Sequence, residues 1–402
     1  MISVNSSEIV YMKTNNELSF FTLLLLISFA SVNAVLFTPA LPAITHFFSI
    51  SSSIAQQTIT WFLVGYALGQ LIYGPIANRF GRKSTLYAGI SLQIISSMLC
   101  ILAGIVNQYT LLVIGRFMLA LGSGVGLKMT FTLVNECYEP KVASQKISYL
   151  LSAFAMAPGI ATAFGGVLTA HYGWISCFYA GLCYGVALLV FVFRLPETQQ
   201  YRDVNAFEYR HLISNYIVQF KNIQLIIGSL LMGCATCIVY IFAAVAPFIV
   251  INIFGMSSTE YGMANMIPPV GLILGSLVSA QFVQKYSLIK MIKFGIFMIS
   301  IGVIFMMLML KLHYSALFSL FLPMVIVYFG LCFIVANVST VILSNVSDKS
   351  HGSAVMNFIN MGLATLVVLS VGYFSLQPLL LPMVYLSLCV AMINMYLKLK
   401  TN

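Results

Sequence analysis

Three cations lie close together in a chain that otherwise carries little charge. The segment GPIANRFGRK, residues 74–83, contains Arg79, Arg82 and Lys83, whereas charged residues make up only 7% of the 402 residues. Guanidinium and ammonium groups can bind the carbonyls at a helix C-terminus, carboxylates on neighbouring helices or lipid phosphates. Apolar stretches flank the segment on both sides, and it contains no acidic residue. We call residues 74–83 the basic turn, since they predict a positively charged turn between two helices.

Two more cations lie inside an apolar segment. Arg116 is near the start of the segment 110–135, and Lys128 lies well within it. A charged side chain in a membrane interior is costly unless it finds a partner or a water-filled cavity, so both are candidate functional residues. Arg116 could instead extend its guanidinium to the lipid headgroups, because it is close to the end of the segment.

Glu136 follows Lys128 on the same predicted helix. On an α-helix the two residues lie about 12 Å apart along the axis and about 80° apart around it. They are therefore not direct partners in that geometry, but they could border one cavity. Glu136 could equally be an ordinary residue at the end of the helix, within the sequence NECYEP.

The elements that must position these residues are predicted to be membrane-spanning helices. Hydrophobic residues make up 60% of the chain and its mean hydropathy is +1.00, whereas soluble domains are closer to half apolar and a quarter charged. Continuous apolar runs of about 20 residues, the length that crosses a bilayer, recur from end to end. The first run, from Leu18, is interpreted as a spanning helix and not as a signal peptide. The sequence predicts an all-α polytopic membrane protein.

Twelve spans are predicted, separated by short polar breaks. Their approximate limits are 18–41, 54–76, 84–106, 110–135, 147–170, 174–194, 223–250, 261–283, 289–310, 316–342, 354–376 and 379–397. The longest polar segment divides them into six and six. We therefore expect an N-terminal six-helix bundle (1–195), a cytoplasmic linker (196–222) and a C-terminal six-helix bundle (223–402).

The cations follow the positive-inside rule. If the N-terminus is cytoplasmic, every Lys and Arg except Arg116, Lys128 and Lys311 falls on the cytoplasmic side. Both termini are therefore predicted to be cytoplasmic, and the basic turn could be simply a cytoplasmic loop. The net charge of +10 is explained by topology and requires no nucleic-acid partner.

The sequence gives little support for an enzyme, a receptor or a pump. Cys234 and Cys237 form a C-x-x-C inside an apolar run, where buried thiols are a better interpretation than a metal or redox site. We find no H-E-x-x-H, no G-x-S-x-G and no Walker A sequence, and no loop is long enough for a sizeable soluble domain. We expect no cofactor, no metal and no catalytic residue.

The basic turn and several other segments resemble the major facilitator superfamily. ALGQLIYGPIANRFGRK is similar to the signature of the loop between spans 2 and 3, in particular that of drug:proton antiporters of the bicyclomycin-resistance type. The resemblance continues in TPALP, GRFMLALG, APGIATAFGG, LPET and APFIVINIFGMSSTEYG. It covers nearly all of the N-terminal half and is looser in the C-terminal half. It implies two six-helix bundles that rock about a central site and expose this site to each side of the membrane in turn.

The resemblance also implies roles for particular residues. The cytoplasmic gate would contain Gly74, Asn78, Arg79, Gly81, Arg82 and Lys83. The substrate or proton cavity, lined by spans 1, 4, 7 and 10, would contain Asn33, Arg116, Lys128, Glu136 and Tyr240. Span 5 would use Pro158, Gly159, Gly165 and Gly166 for close helix packing, in a signature associated with export.

This sequence departs from the family pattern where acids are usual. Val35 and Asn78 stand at two such positions, and Asn33 cannot exchange a proton. Glu136, Glu17 and the histidines near loops remain as candidate proton carriers. We expect a monomeric exporter in the bacterial inner membrane that exchanges a neutral or anionic small molecule for protons. The alternative is an importer or facilitator with a different coupling ion or none.

Overall fold

The structure is a computed structural model that describes residues 18–138, 140–198, 216–283, 285–344, 346 and 349–401. Within these residues it consists of helices and their connections, with no β-strand. The α-helices are α1 (Phe20–Val35), α2 (Leu41–Phe48), α3 (Ser52–Phe80), α4 (Arg82–Ile105), α5 (Tyr109–Ser123), α6 (Val125–Cys137), α7 (Pro140–Tyr172), α8 (Ser176–Phe193), α9 (Ile223–Pro247), α10 (Ser258–Ala264), α11 (Pro268–Phe282), α12 (Leu288–Lys311), α13 (Leu322–Ser344), α14 (Lys349–Val371) and α15 (Leu380–Thr401).

Eleven stretches of the described chain are helical, long and apolar enough to cross a membrane. Helices α1 and α2 together form one of these stretches, as do α5 and α6, and α10 and α11. The eleven stretches match all of the predicted spans except span 5, which falls within α7, a helix of 33 residues. The all-α membrane fold is confirmed, and the count of twelve crossings stays a prediction.

Polar side chains mark the starts of several helices. Ser51 Oγ accepts the backbone N–H of Ile54 (3.3 Å) at the start of α3, and Asn222 Oδ1 accepts a backbone N–H (3.1 Å) at the start of α9. Ser257 and Glu260 form a reciprocal capping box before α10. These side chains satisfy N–H groups that a helix end leaves without a partner. Between the ends, the helix itself satisfies the backbone, which lipid cannot do.

The direction of the helices defines two ends of the molecule. Helix α3 ends and α4 begins at the basic turn. The end of α6 and the segment after α8 lie beside that turn, since Glu136 and Glu197 both bind Arg82. We call this the basic end. The opposite end is where α3 begins at Ser52 and α10 begins at Ser258.

The helices pack as two sets. Helices α1–α8 pack on one another and form the first bundle, and α9–α15 form the second bundle. Glycines permit the closest contacts within each: a Cβ on Gly122 would lie 2.6 Å from the Gly89 carbonyl oxygen, and one on Gly330 would lie 2.7 Å from that of Gly295. Small residues are used in this way where lipid removes the hydrophobic drive for helix association. The predicted limits at residues 195 and 223 stay a prediction.

Tyr216 contacts both bundles. Its hydroxyl donates to the carbonyl of Leu71 in α3 (3.3 Å), and the centroid of its ring lies 5.0 Å from that of His351 in α14. Residues 199–215, which form most of the predicted linker, and residues 1–17, which include Glu17, lie outside the described residues.

Candidate functional site

The basic turn changes direction at a glycine. Gly81 has a φ of 102°, which residues with a Cβ rarely adopt. A Cβ on Gly81 would also lie 2.5 Å from Glu197 Oε2. Helix α4 starts at the next residue, Arg82. Before the glycine, the guanidinium of Arg79 lies 5.6 Å from the ring centroid of Phe80. The position therefore requires glycine for its backbone angle and for its neighbour.

Arg82 finds its acid on another helix. Its Nε and Nη2 donate to Glu136 Oε1 at 3.0 and 2.7 Å. Its Nη1 donates to the carbonyl of Ala77 (2.8 Å) and to Asn78 Oδ1 (3.3 Å). The sequence interpretation grouped Glu136 with the cavity, whereas the structure places it against Arg82 at the basic end. Glu136 lies 54 positions away in the chain, so the basic turn has an acidic partner that its own segment lacks.

A second acid covers the start of α4. Glu197 accepts the backbone N–H of Arg82 (2.9 Å) and that of Lys83 (3.1 Å), where the helix dipole favours negative charge. The Lys83 ammonium donates to a carbonyl at the end of α8 (2.8 Å), and the Thr198 hydroxyl donates to Glu136. Glu197 and Thr198 lie in the LPET segment, to which the sequence interpretation assigned no role.

Moving the acid from Glu136 to position 78 is expected to preserve the ion pair. Glu136→Gln should lower the free energy of unfolding by about 1.5 kcal/mol, because Arg82 loses its charged partner. Asn78 Oδ1 already accepts from Arg82, so adding Asn78→Asp should recover at least half of the loss, measured by thermal unfolding in detergent. Asn135→Asp restores the same charge without that contact and is the control. Equal recovery by both aspartates would contradict the assignment.

Arg116 is enclosed within the first bundle. Its side chain is 1% exposed. It donates to the carbonyls of Asn33 (2.7 Å), Ala34 (3.3 Å) and Thr58 (3.4 Å). Two aromatic rings hold the guanidinium, with centroids at 3.9 Å and 4.4 Å. Arg116 therefore does not extend to the headgroups, and it ties α5 to α1 and α3.

A polar cluster lies next to Arg116. Asn33 Oδ1 accepts from Gln93 Nε2 (3.1 Å), which also donates to Ser97 Oγ (3.0 Å) and to the carbonyl of Gly181 (3.0 Å). A cavity of about 10 Å³ adjoins Asn33, Ser97 and Arg116, which is about the space that one water requires. Gln93 was missed by the sequence interpretation, although an amide in the apolar α4 was a visible signal.

Lys128 lies against α3. Its Nζ donates to the carbonyl of Gln70 (3.3 Å) and would lie 2.7 Å from a Cβ on Gly74. Gly74 thus makes room for the ammonium, a role that the sequence did not reveal. Lys128 and Glu136 have different partners, because Glu136 is bound to Arg82.

Tyr240 brings the second bundle close to this region. It lies on α9, which contacts α3, and it is within electrostatic range of Tyr66 on α3. Tyr66 is 6% exposed. The predicted cavity residue of span 7 therefore lies on a helix of the second bundle that adjoins α3.

The glycines of α7 join the bundles at the opposite end. A Cβ on Gly165 would overlap the carbonyl oxygen of Leu36 in the first bundle, and one on Gly166 would overlap that of Ser258 in the second. A Cβ on Gly159 would lie 3.0 Å from Pro269 of α11. Pro158 lies inside the same helix, and its carbonyl accepts the hydroxyl of Thr162 (2.8 Å). The contacts of Gly166 and Gly159 hold the two bundles together at that end, whereas the contact of Gly165 packs α7 within the first bundle.

Two helical bundles of membrane-spanning length, with cations buried among their helices, define a polytopic membrane protein. Comparison with known families agrees. The Major Facilitator Superfamily profile matches residues 23–369. The chain belongs to this family and is a membrane transporter.

Curated relatives are similar at modest identity. An uncharacterized transporter of Rickettsia felis is 27% identical over 275 residues, which are 68% of this chain and 67% of the relative. A bicyclomycin resistance protein homolog of Haemophilus influenzae is 24% identical over 65% of each chain. Multidrug resistance protein D of Escherichia coli is 25% identical over 66% of each. The expected resemblance to the bicyclomycin-resistance type is confirmed.

Solved structures share the fold. The D-xylose-proton symporter superposes with a TM-score of 0.75 at 14% identity, covering 93% of this chain and 96% of the symporter. The peptide transporter POT, bound to alafosfalin, also gives 0.75 at 14% identity, covering 96% and 95%. At this identity the likeness establishes the fold alone.

Proposed function

We propose that the protein exports a small, neutral or anionic molecule in exchange for protons, by alternating access. The two bundles would rock about residues at their interface and expose them to each side in turn. We assign the basic end to the cytoplasm, with both termini there, in a bacterial inner membrane. The charge distribution of the loops supports this orientation.

The direction of transport is proposed from the relatives. Two of them carry the names bicyclomycin resistance protein homolog and Multidrug resistance protein D. Export is the direction in which a transporter protects a cell from a toxic compound. The glycine-rich contact of α7, which resembles the signature associated with exporters, supports the same direction.

The observation that carries the proposal is the charge of the buried groups. Arg116 and Lys128 both lie among helices and both bind backbone carbonyls, and neither has a carboxylate partner among the described residues. Positive charge among these helices, and above all the less tightly held Lys128, favours a neutral or anionic substrate over a lipophilic cation.

Glu136 is the group that we propose for the proton. Its carboxylate binds Arg82 and is therefore able to couple a change of protonation to the contacts of the basic turn. Protonation would remove the charged partner of Arg82 and weaken the link between α4 and α6. Release of that link would favour movement at the basic end.

Transport into proteoliposomes with an imposed pH gradient tests the proposal. Purified protein should accelerate exchange of candidate neutral and anionic compounds when the gradient is present, and Glu136→Gln should remove the acceleration while leaving exchange without a gradient intact. Valinomycin with equal potassium on both sides removes the membrane potential as a variable. Transport that ignores the pH gradient would contradict proton exchange.

A facilitator without a coupling ion is the second candidate. All three carboxylates of the described residues, Glu136, Glu197 and Glu260, lie at or beside helix ends, so the described membrane interior offers no acid to carry a proton. A facilitator would equilibrate the substrate in either direction at rates that follow its concentration gradient alone. The same proteoliposome assay separates the two candidates.

A further inference from the structure

We propose that Lys128, Gln70, Tyr66 and Tyr240 form a binding site for a carboxylate group of the substrate. This inference rests on the proposed function and deepens it, because it names the chemical group by which the transported molecule is recognised. The four side chains come from three helices, α3, α6 and α9, and so from both bundles. A ligand between them would touch both moving parts of a transporter.

The described chain provides no carboxylate for Lys128. Of its three acids, Glu136 binds Arg82, Glu197 accepts two backbone N–H groups at the start of α4, and Glu260 is held in the capping box before α10. An ammonium among membrane-spanning helices requires a partner of opposite charge or a wet cavity. A substrate anion provides that charge.

Lys128 differs from Arg116 in its free donors. Arg116 is held by three carbonyls and two aromatic rings, so its hydrogen-bonding directions are largely occupied. Lys128 Nζ has three N–H donors, and one hydrogen bond, to the carbonyl of Gln70, is found among the described residues. Arg116 therefore holds helices together, whereas Lys128 keeps N–H donors that can bind a ligand.

Gln70 provides an independent sign of a ligand. Its side chain is 5% exposed, and within the described part of the chain its Nε2 makes no hydrogen bond of ordinary length, although the Tyr66 hydroxyl lies within its reach. A buried amide donor without a partner is costly. The carbonyl of the same residue holds the Lys128 ammonium. One carboxylate, which accepts several hydrogen bonds, could therefore receive donors from both side chains.

The tyrosines complete the site from both bundles. Tyr66 lies one helical turn from Gln70 on α3 and stacks on Phe62, with ring centroids 6.5 Å apart. Tyr240 of α9 is within electrostatic range of Tyr66 and also of Tyr328. Phenolic hydroxyls donate hydrogen bonds, and their rings provide apolar walls. The site thus fits a carboxylate attached to an apolar or aromatic body.

Equilibrium binding to purified protein in nanodiscs tests this with three matched probes, phenylacetate, phenylacetamide and phenethylamine. They share a ring and differ in charge. We expect phenylacetate to bind at least about tenfold more tightly than the amide or the amine, as a charge-assisted hydrogen bond predicts. Lys128→Gln should abolish this preference, whereas Lys290→Gln, which removes an exposed cation of α12, should preserve it.

Gln70→Leu separates a binding role from a structural one. Because Nε2 makes no hydrogen bond of ordinary length and only reaches towards the Tyr66 hydroxyl, its loss should change the unfolding temperature little while affinity for phenylacetate falls several-fold. Phenylacetate that binds no more tightly than phenylacetamide, or a preference that survives Lys128→Gln, would overturn the proposal. These readouts use no gradient. Failure here leaves proton exchange standing, and failure of gradient-driven transport leaves the carboxylate site standing.

Discussion

Gly166→Ala is expected to separate the two bundles at the opposite end. The new Cβ would overlap the carbonyl oxygen of Ser258 and lie 3.3 Å from the Cα of Gly262. Both neighbours are backbone atoms, so the clash is relieved most simply by moving α7 away from α10. Overpacking of this kind costs about 1–3 kcal/mol, and 1.4 kcal/mol corresponds to about a tenfold shift of a conformational equilibrium.

The distance between spin labels placed at Tyr172 and Ile253 measures this separation. Both side chains are exposed and lie at the opposite end, one in each bundle. Gly166→Ala should lengthen the mean distance. Gly362→Ala is the matched control, because Gly362 is helical and a Cβ there meets nothing within 4 Å. An unchanged distance in Gly166→Ala would show that this contact does not hold the bundles together.

Gly165→Ala provides a contrast at the adjacent residue. Its Cβ would overlap the carbonyl oxygen of Leu36, which belongs to the same bundle. We therefore expect Gly165→Ala to lower the unfolding temperature without a longer distance between the labels. Two neighbouring glycines would then have separable effects, one on stability and one on the arrangement of the bundles.

Arg116→Ala is expected to destabilise the first bundle more than the loss of any exposed cation. The substitution leaves the carbonyls of Asn33, Ala34 and Thr58 without their donor and empties the space between two rings. Loss of hydrogen bonds to a charged group costs about 1.5–3 kcal/mol for each, and the unfolding midpoint in detergent should fall by many degrees. Arg194→Ala, at an exposed position, should leave it within a few degrees.

Arg116→Lys tests geometry separately from charge. Lysine keeps the positive charge, but its compact ammonium cannot reproduce the planar fork that reaches α1 and α3 together. We expect stability close to that of Arg116→Ala. A lysine variant as stable as the parent would mean that charge alone matters at this position.

The fold was predictable because few backbone structures are stable within lipid. A chain that crosses a bilayer must satisfy its backbone internally, so apolar runs of suitable length become helices. Span 4 illustrates what the pattern leaves out: the predicted segment 110–135 is one membrane-length stretch, but its helix is interrupted at Gly124, between α5 and α6. The glycine was visible in the sequence, but the interruption was not predicted from it.

Site residues could be predicted where a charged residue type occurs in an apolar segment. Arg116 and Lys128 were found because a charge in an apolar helix is anomalous. Their partners were not, since those partners are backbone carbonyls of α1 and α3, which no residue type reveals. The pairing of Arg82 with Glu136 depends on helix packing across 54 positions. Gln70 acquires its importance from the incomplete hydrogen bonding of its buried amide, which depends on packing and not on residue type.

Tyr216 links the two bundles directly, close to the start of the second bundle. It is hydrogen bonded to α3 and packed against α14, and α9 begins a few residues later at Ile223. In the proposed movement, a rotation of the second bundle would therefore displace α3 at Leu71. The basic turn begins at Gly74, three residues after Leu71 on the same α3, so a tilt of this helix reaches both the Tyr216 contact and the Arg82–Glu136 pair.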